Sequence, residues 1–382
     1  LFRGAEDAVR DLLDEARAAT GLDDFGDDSF REGLEILLRS LRDEARLNPR
    51  GEGYVYPRIV GHLTQRLQVE DWYRRHPEID EVPVEAPLFG LGLPRTGSTA
   101  LSFLLAQDPR VRYLRSWESA APCPPPSTVS GADPRIPPDV PVVAGSRHHV
   151  PADPRGPMEC LDLMALDFTS QIFQAFAQIP TYSDWLLQRA DFTSTYAYQR
   201  RVLKLLAWGE PTRQWRLKSP AHVLSLDYLN RVFPDARFVM THRDPTDVLL
   251  SVAAVYGDIV AGFSDHTDRR YLGDLNVRQW STGMERVCAF RRGGADHRFF
   301  DIDFAAMAAD PVGEVGRLYG WLGRPVTEDF EAGMRRWWAR NADARDPGVP
   351  AEHADYGLEP ERIRPLFAGY VAAARGWIDD RK

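Results

Sequence analysis

Cysteine is scarce in this chain. Among 382 residues there are three, Cys123, Cys160 and Cys288. They are far apart, odd in number and never in a CxxC pair. That excludes a disulfide framework or a spaced zinc site as the organising device, suits a reducing compartment and predicts a cytoplasmic protein. Long apolar runs are missing too. No stretch approaches the roughly 18 residues that span a bilayer, so no membrane span is expected. The opening LFRGAEDAVRDLLDEARAAT carries no signal-peptide pattern, and it begins at Leu1 rather than Met. There is no basic excess: Lys plus Arg is 47 against 56 for Asp plus Glu, a formal net charge of −9. Such a chain is a poor partner for nucleic acid, and any anion it binds must be held by a local cluster of basic groups. No repeat and no heptad run is found. What is present is ordinary globular material, 43% hydrophobic and 27% charged. The length suits one large α/β domain with helical additions, or two domains.

Helical spacing of apolar residues predicts helices over 4–20, 28–47 and 57–76, the last stopped by Pro77. At Pro87 the character changes. LFGLGL (88–93) is a short apolar run closed by Pro94 and Gly97, a buried strand opening into a loop, and 98–107 has helix composition. Further strands are predicted at 110–115, 213–220, 236–242 and 298–304. Helices are predicted over 158–178, 181–190, 194–208, 221–232, 245–257, 311–323, 327–340 and 359–379. Strands alternating with helices predict an α/β fold with a P-loop-like parallel sheet flanked by helices. Residues 1–85 read as an N-terminal helical extension and 86–382 as the main domain. Within that domain, 119–210 reads as a helical and proline-rich insertion whose proline-dense part spans 121–157.

Two segments suggest anion sites. Gly92-Leu-Pro-Arg-Thr-Gly-Ser-Thr99 lies between a predicted strand and a predicted helix, where a glycine-rich loop and a helix start cradle phosphate. The spacing Gly92-x4-Gly97-x-Thr99 fits a phosphate loop except that Ser98 stands where the lysine of a triphosphate site would be. The cation is Arg95. Strand 236–242 ends Thr241-His242-Arg243, without the acid expected to hold Mg²⁺. The second segment, Thr241 to Ser251, also joins a strand to a helix. Arg243 offers a fork of donors, and Ser251 lies about two helical turns further on, able to share its face. The plainer readings are a glycine/proline turn with an exposed arginine, and an Arg243 paired with Asp244 or Asp247. Two anion sites on the C-terminal edge of one sheet, where α/β folds bind ligands, suit a nucleotide phosphorylated at both ends.

At these residues the chain resembles the sulfotransferase superfamily that uses 3′-phosphoadenosine 5′-phosphosulfate (PAPS), in particular a bacterial branch of it. LPRTGSTAL (93–101) resembles the 5′-phosphosulfate loop, with Arg95 where many cytosolic members carry lysine. HRDPTDVLLS (242–251) resembles the 3′-phosphate segment. SWESAAPCPPP (116–126), GPMECLDLM (156–164), LKSPAHVLSLDYLNRVFPDARFV (217–239) and MAADPVGEVGRLYGWLG (307–323) extend the likeness across about 86–325, with weaker support from 353–370. The resemblance implies that Arg95, Thr96, Gly97, Ser98, Thr99 and Ala100 hold the 5′-phosphosulfate and that Arg243 and Ser251 hold the 3′-phosphate. Phe304 falls where related chains often carry a tyrosine near the adenine. The glycine/lysine-rich late motif of cytosolic members is not evident.

The implied activity is sulfuryl transfer to a hydroxyl of a small acceptor, leaving adenosine 3′,5′-bisphosphate, with no metal. Such chemistry needs a base, cations on the leaving group and firm positioning. Arg95 and Lys218 are the candidate cations, Lys218 from its likeness to a lysine of glycan-modifying members. Three candidates for the base stay open: Glu118, placed after a strand as in tyrosylprotein and glycan sulfotransferases; His222, since cytosolic members use histidine; and His149. Phe168, Phe173 and Phe176 are candidates to line a partly apolar acceptor pocket. Two rival readings are a phosphate-loop kinase acting on a small molecule and a non-catalytic nucleotide- or partner-binding member of the fold.

Overall fold

A computed structural model describes residues 5–136, 153–341 and 353–380. Its centre is a five-stranded parallel sheet of β1 (Leu88–Gly92), β2 (Val111–Tyr113), β3 (Gln214–Lys218), β4 (Arg237–His242) and β5 (Phe299–Asp303), in the order β2-β3-β1-β4-β5. β1 is buried along its whole length, which explains its unbroken apolar run: both of its faces are covered. Alternation along the strands divides the interior. Leu88, Val239 and Ile302 face one layer, with helices Ser98–Leu105, Pro311–Trp321 and Glu328–Arg340. Phe89, Leu91, Phe238 and Met240 face a larger core on the other side. Successive crossovers place β3 and β4 on opposite sides of β1, so a crevice opens at the C-terminal edge beside it.

The N-terminal helices Ala5–Thr20, Phe30–Asp43 and Pro49–Arg75 contribute Leu12, Leu34, Leu37, Ile59 and Leu63 to that larger core. They are tied down by Arg66, fully buried, which donates to the carbonyls of Phe25 (2.7 Å) and Leu166 (3.2 Å) and to Asp167 (3.3 Å). Asp167 also accepts from Ser194 (2.8 Å) and Thr195 (2.9 Å), so the N-terminal helices and residues 166–195 share one buried polar anchor.

Several expectations shift. The third helix begins at Pro49, capped by Asn48, and runs through Pro57. An interior proline normally costs about 3 kcal/mol. Here the carbonyl it orphans belongs to Gly53, which is exposed and has no side chain to crowd the ring. The predicted helix 158–178 is two short helices, Leu161–Ala165 and Ile172–Phe176, broken at Phe168 with φ 52°. Tyr182 holds the break, its hydroxyl donating to the Phe168 carbonyl (2.7 Å) and accepting from the Ser170 amide (3.0 Å). Helix Arg269–Phe290 is an addition that the sequence pattern hid. The helix predicted over 245–257 extends to Phe263, and by length and composition this one is apolar enough to cross a membrane, contrary to the expectation of no such run. Half of its most apolar window is buried inside the fold, where it packs against helices Pro49–Arg75 and Arg269–Phe290.

Candidate active site

The first anion segment folds as a tight loop between β1 and helix Ser98–Leu105. Gly92 has φ 129°, and a Cβ there would lie 2.7 Å from the Thr241 carbonyl. Arg95 adopts φ 62° and Gly97 φ 84°; a left-handed arginine is uncommon and costs about 1–3 kcal/mol. Thr96, wholly buried, pins the loop from beneath: its hydroxyl donates to the Leu93 carbonyl (2.7 Å) and shares a 2.6 Å hydrogen bond with the Thr241 hydroxyl. Thr96 therefore supports the loop rather than lining it. The amides of Ser98, Thr99 and Ala100 belong to the first helical turn, which has no carbonyl partners of its own to offer them.

The second segment meets the first. Arg243 follows β4 directly, and Asp244 caps helix Pro245–Phe263 by accepting from the Thr246 amide (2.8 Å). The Arg243 guanidinium donates to the Arg95 carbonyl (3.3 Å), lies 4.7 Å over the Phe304 ring and reaches Asp247 only at 3.9 Å. Arg95 Nε donates to Ser251 Oγ (3.1 Å). Phe304 in turn backs the loop, since a Cβ on Gly97 would touch its ring at 3.3 Å. Burial, and then the charge of Arg243, push the Arg95 pKa down. Two arginines on adjoining loops, beside a helix start, suit the binding of phosphorylated anions.

Lys218 closes the third side. It ends β3, beside Gly90 of β1 in register, and its stem passes over Gly90, where a Cβ would lie 3.2 Å from it. Its ammonium donates to Thr99 Oγ1 (3.0 Å) and to Glu159 Oε1 (2.5 Å). The Lys218 carbonyl accepts from the Cys160 amide (3.0 Å), fixing the Glu159 segment to the strand end. Glu159 is the functional candidate that the residue pattern missed, although it lies in the GPMECLDLM stretch. Nothing in its spacing marks it, and its position follows from a contact between distant parts of the chain. Tyr256 lies near it; burial, then the Glu159 charge, raise the phenol's pKa.

Glu118 is not in this cleft. It is fully buried, takes Arg112 on both oxygens (2.9 and 2.5 Å) and Arg115 on one (3.1 Å), and accepts the Arg115 amide (3.0 Å). With those lone pairs engaged and no solvent access, the geometry assigns it to an internal ion-pair cluster instead of proton transfer. His222 is likewise a core residue. It is fully buried, packs edge-on against Phe89 (5.1 Å) and bonds Tyr196 Oη through Nδ1 (2.9 Å). His149 lies outside the described residues. Phe168 and Phe173 are also core, stacked on each other at 5.9 Å and buried, so they do not line an open pocket. Phe176 does reach a partly exposed cluster with Tyr54 (5.1 Å), Phe263 (6.1 Å) and the Arg58 guanidinium (5.1 Å). Arg58 pairs with Asp162, three residues beyond Glu159.

Burial drives the pKa of both His222 and His62 down from 6.5 to about 3, with the Arg58 charge adding to the effect at His62. Both are therefore neutral when folded and take up protons on unfolding. Stability is whole above pH 6.5 and falls as pH drops toward 3, by about 1.4 kcal/mol per pH unit for each histidine. Urea titrations at pH 7.0 and 5.5 should show this loss, and His222→Gln should reduce the slope. An unchanged slope in the variant would mean that His222 is not buried neutral.

The comparisons with known proteins agree with this geometry. A family model described as "Sulfotransferase family" matches residues 87–329. The crystal structure of sulfotransferase STF9 from Mycobacterium avium is 32% identical with a TM-score of 0.84, covering 95% of this chain and 96% of that one. Sulfotransferase STF1 from Mycobacterium tuberculosis H37Rv is 30% identical with a TM-score of 0.82, covering 94% and 98%. Curated relatives named omega-hydroxy-beta-dihydromenaquinone-9 sulfotransferase Stf3, from Mycobacterium bovis and Mycobacterium tuberculosis, are 27% identical over 182 residues. That match spans 40% of this chain and 45% of theirs. With the family model running from β1 past β5 and two related structures aligned nearly end to end, the chain belongs to the sulfotransferase family.

Proposed function

We propose that this chain transfers a sulfuryl group from PAPS to a hydroxyl of a small, partly apolar acceptor, with Glu159 as the base and Lys218 and Arg95 as the stabilising cations. The observation that carries the reading is the meeting of Arg95, Ser251, Arg243, Phe304, Thr99 and Lys218 at one edge of the sheet. When bound, PAPS supplies the sulfuryl group and, as the acceptor oxygen–sulfur bond forms, a bisphosphate that leaves with the bridging electron pair. The loop amides and Arg95 suit the 5′ end. Arg243 and Ser251 suit the 3′-phosphate, and the Phe304 ring suits the base. Lys218 places its ammonium where charge grows, and fixed donors of this kind are worth most in a dry cleft. Glu159, on the same ammonium, takes the acceptor's proton.

The half-open cluster of Tyr54, Phe176 and Phe263 supports an acceptor with an apolar body. The curated relatives are named for a hydroxylated dihydromenaquinone, and an alcohol on an apolar frame is the chemical class that fits. Cys123, Cys160 and Cys288 are buried and unbonded, in keeping with a cytoplasmic place of work.

Ligand-induced thermal shifts test the donor. Adenosine 3′,5′-bisphosphate at a hundred times its Kd should stabilise the fold by about 2.7 kcal/mol, while Mg·ATP should have little effect. An equal or larger shift with Mg·ATP would favour the kinase reading. Binding without any turnover across a screen of alcohols and phenols would favour a non-catalytic member.

A further inference from the structure

A chain of buried polar groups links the C-terminal helix Pro360–Asp379 to the strand ends that carry the cleft's residues. His242 is the last residue of β4, immediately before Arg243. Its Nε2 lies 2.9 Å from Asp301 Oδ1 and its Nδ1 lies 3.0 Å from Tyr370 Oη. Asp301, on β5, receives both Nη atoms of Arg291 (2.6 and 3.0 Å). The Arg291 guanidinium lies 3.5 Å over the Trp377 ring. His242, Asp301, Arg291 and Tyr370 are all at most 5% exposed. The order of donors follows from the chemistry. The carboxylate only accepts, so His242 Nε2–H donates to it, and in the neutral imidazole Nδ1 accepts from the Tyr370 hydroxyl. Burial alone would raise the Asp301 pKa; hydrogen bonds from His242 and Arg291 outweigh it and hold the carboxyl well below the usual range.

We propose that Tyr370 is a positioning residue for the 3′-phosphate side of the cleft, acting through His242 to fix the β4 terminus from which Arg243 projects. This rests on the PAPS reading of the cleft. The physical reason is leverage: one backbone step separates the ring held by Tyr370 from the arginine that grips the anion. Freedom at His242 is therefore freedom at Arg243. Since Arg243 and Ser251 serve the 3′ end, slackness there should be felt by ligands that carry a 3′-phosphate and ignored by ligands that lack one.

The test is calorimetric binding of adenosine 3′,5′-bisphosphate and of adenosine 5′-monophosphate to the full chain, its Tyr370→Phe variant and, as a second route to the same link, Trp377→Leu. Tyr73→Phe, which removes a buried hydroxyl bonded to the Arg201 carbonyl (2.9 Å) and outside the His242 chain, is the control for general loosening. Tyr370→Phe should weaken the bisphosphate by about five- to tenfold, the worth of one hydrogen bond, and the monophosphate by less than about twofold. Tyr73→Phe should lower the melting temperature without changing either Kd. Equal losses for both nucleotides, or none, in Tyr370→Phe and Trp377→Leu would overturn the positioning role. If the unaltered protein fails to prefer the bisphosphate over the monophosphate, the PAPS reading itself is wrong.

Discussion

Replacing Glu159 by glutamine is expected to lower turnover by about a hundredfold to ten-thousandfold, the usual worth of a positioned general base. Binding of adenosine 3′,5′-bisphosphate should change by less than about twofold. The amide keeps the shape of the side chain and can still accept from Lys218, which lies 2.5 Å from Oε1, but it cannot take a proton. Glu159 is partly open to solvent but its partner Lys218 is buried, so losing the carboxylate's charge should destabilise the fold by more than the about 0–1 kcal/mol of an exposed pair, with the amide oxygen that remains to accept from Lys218 limiting the loss. Steady-state kinetics with saturating PAPS and calorimetric binding separate the two effects. If the variant keeps more than about a tenth of the turnover, proton removal lies elsewhere.

The companion change, Glu118→Gln, should do the reverse. Arg112 and Arg115 both depend on that carboxylate, and Arg112 is itself buried against the Trp215 ring at 4.8 Å. Removing one partner of a buried ion pair strands the other, at about 3–5 kcal/mol. Urea unfolding should reveal a loss of that size, while the fraction that remains folded keeps a near-normal turnover number. A variant as stable as the parent but without turnover would return Glu118 to candidacy as the base.

These two glutamates show where the sequence was and was not legible. Its place just after a strand makes Glu118 a candidate base in the sequence. The sequence does not reveal that Arg112, on that strand, turns inward to meet it. Glu159 carries no such signal, because its meaning depends on the Cys160 amide meeting the Lys218 carbonyl, a contact that no local pattern records. By contrast β1 was plain, since five consecutive buried residues between prolines leave little else to be. The second anion segment was legible only in part: Asp244 caps the helix and sets Ser251 two turns on, but the side chain Ser251 meets is Arg95 of the other segment. Helix Arg269–Phe290 was hidden because its buried face includes Gly273, Asn276, Gln279 and Gly283. Those small and amide residues are there for close approach, such as Gly273 against the Tyr356 carbonyl, and for a buried hydrogen-bond chain through Asn276 and Gln279. They dilute the apolar periodicity that reveals a helix. Phe168 and Phe173 carried the opposite hazard: an aromatic in a predicted pocket region is more often interior packing.

The contact between Gly97 and Phe304 has a bearing on any attempt to re-engineer the donor. The ring suited to the nucleobase is also the rear wall of the turn suited to the sulfated end. Under the proposed reading, purine preference and anion grip are mechanically joined. Reshaping Phe304 to admit a different base would let the Gly97 turn relax, and enlarging Gly97 would tilt the ring, so a new donor would have to be accommodated by changing both residues together.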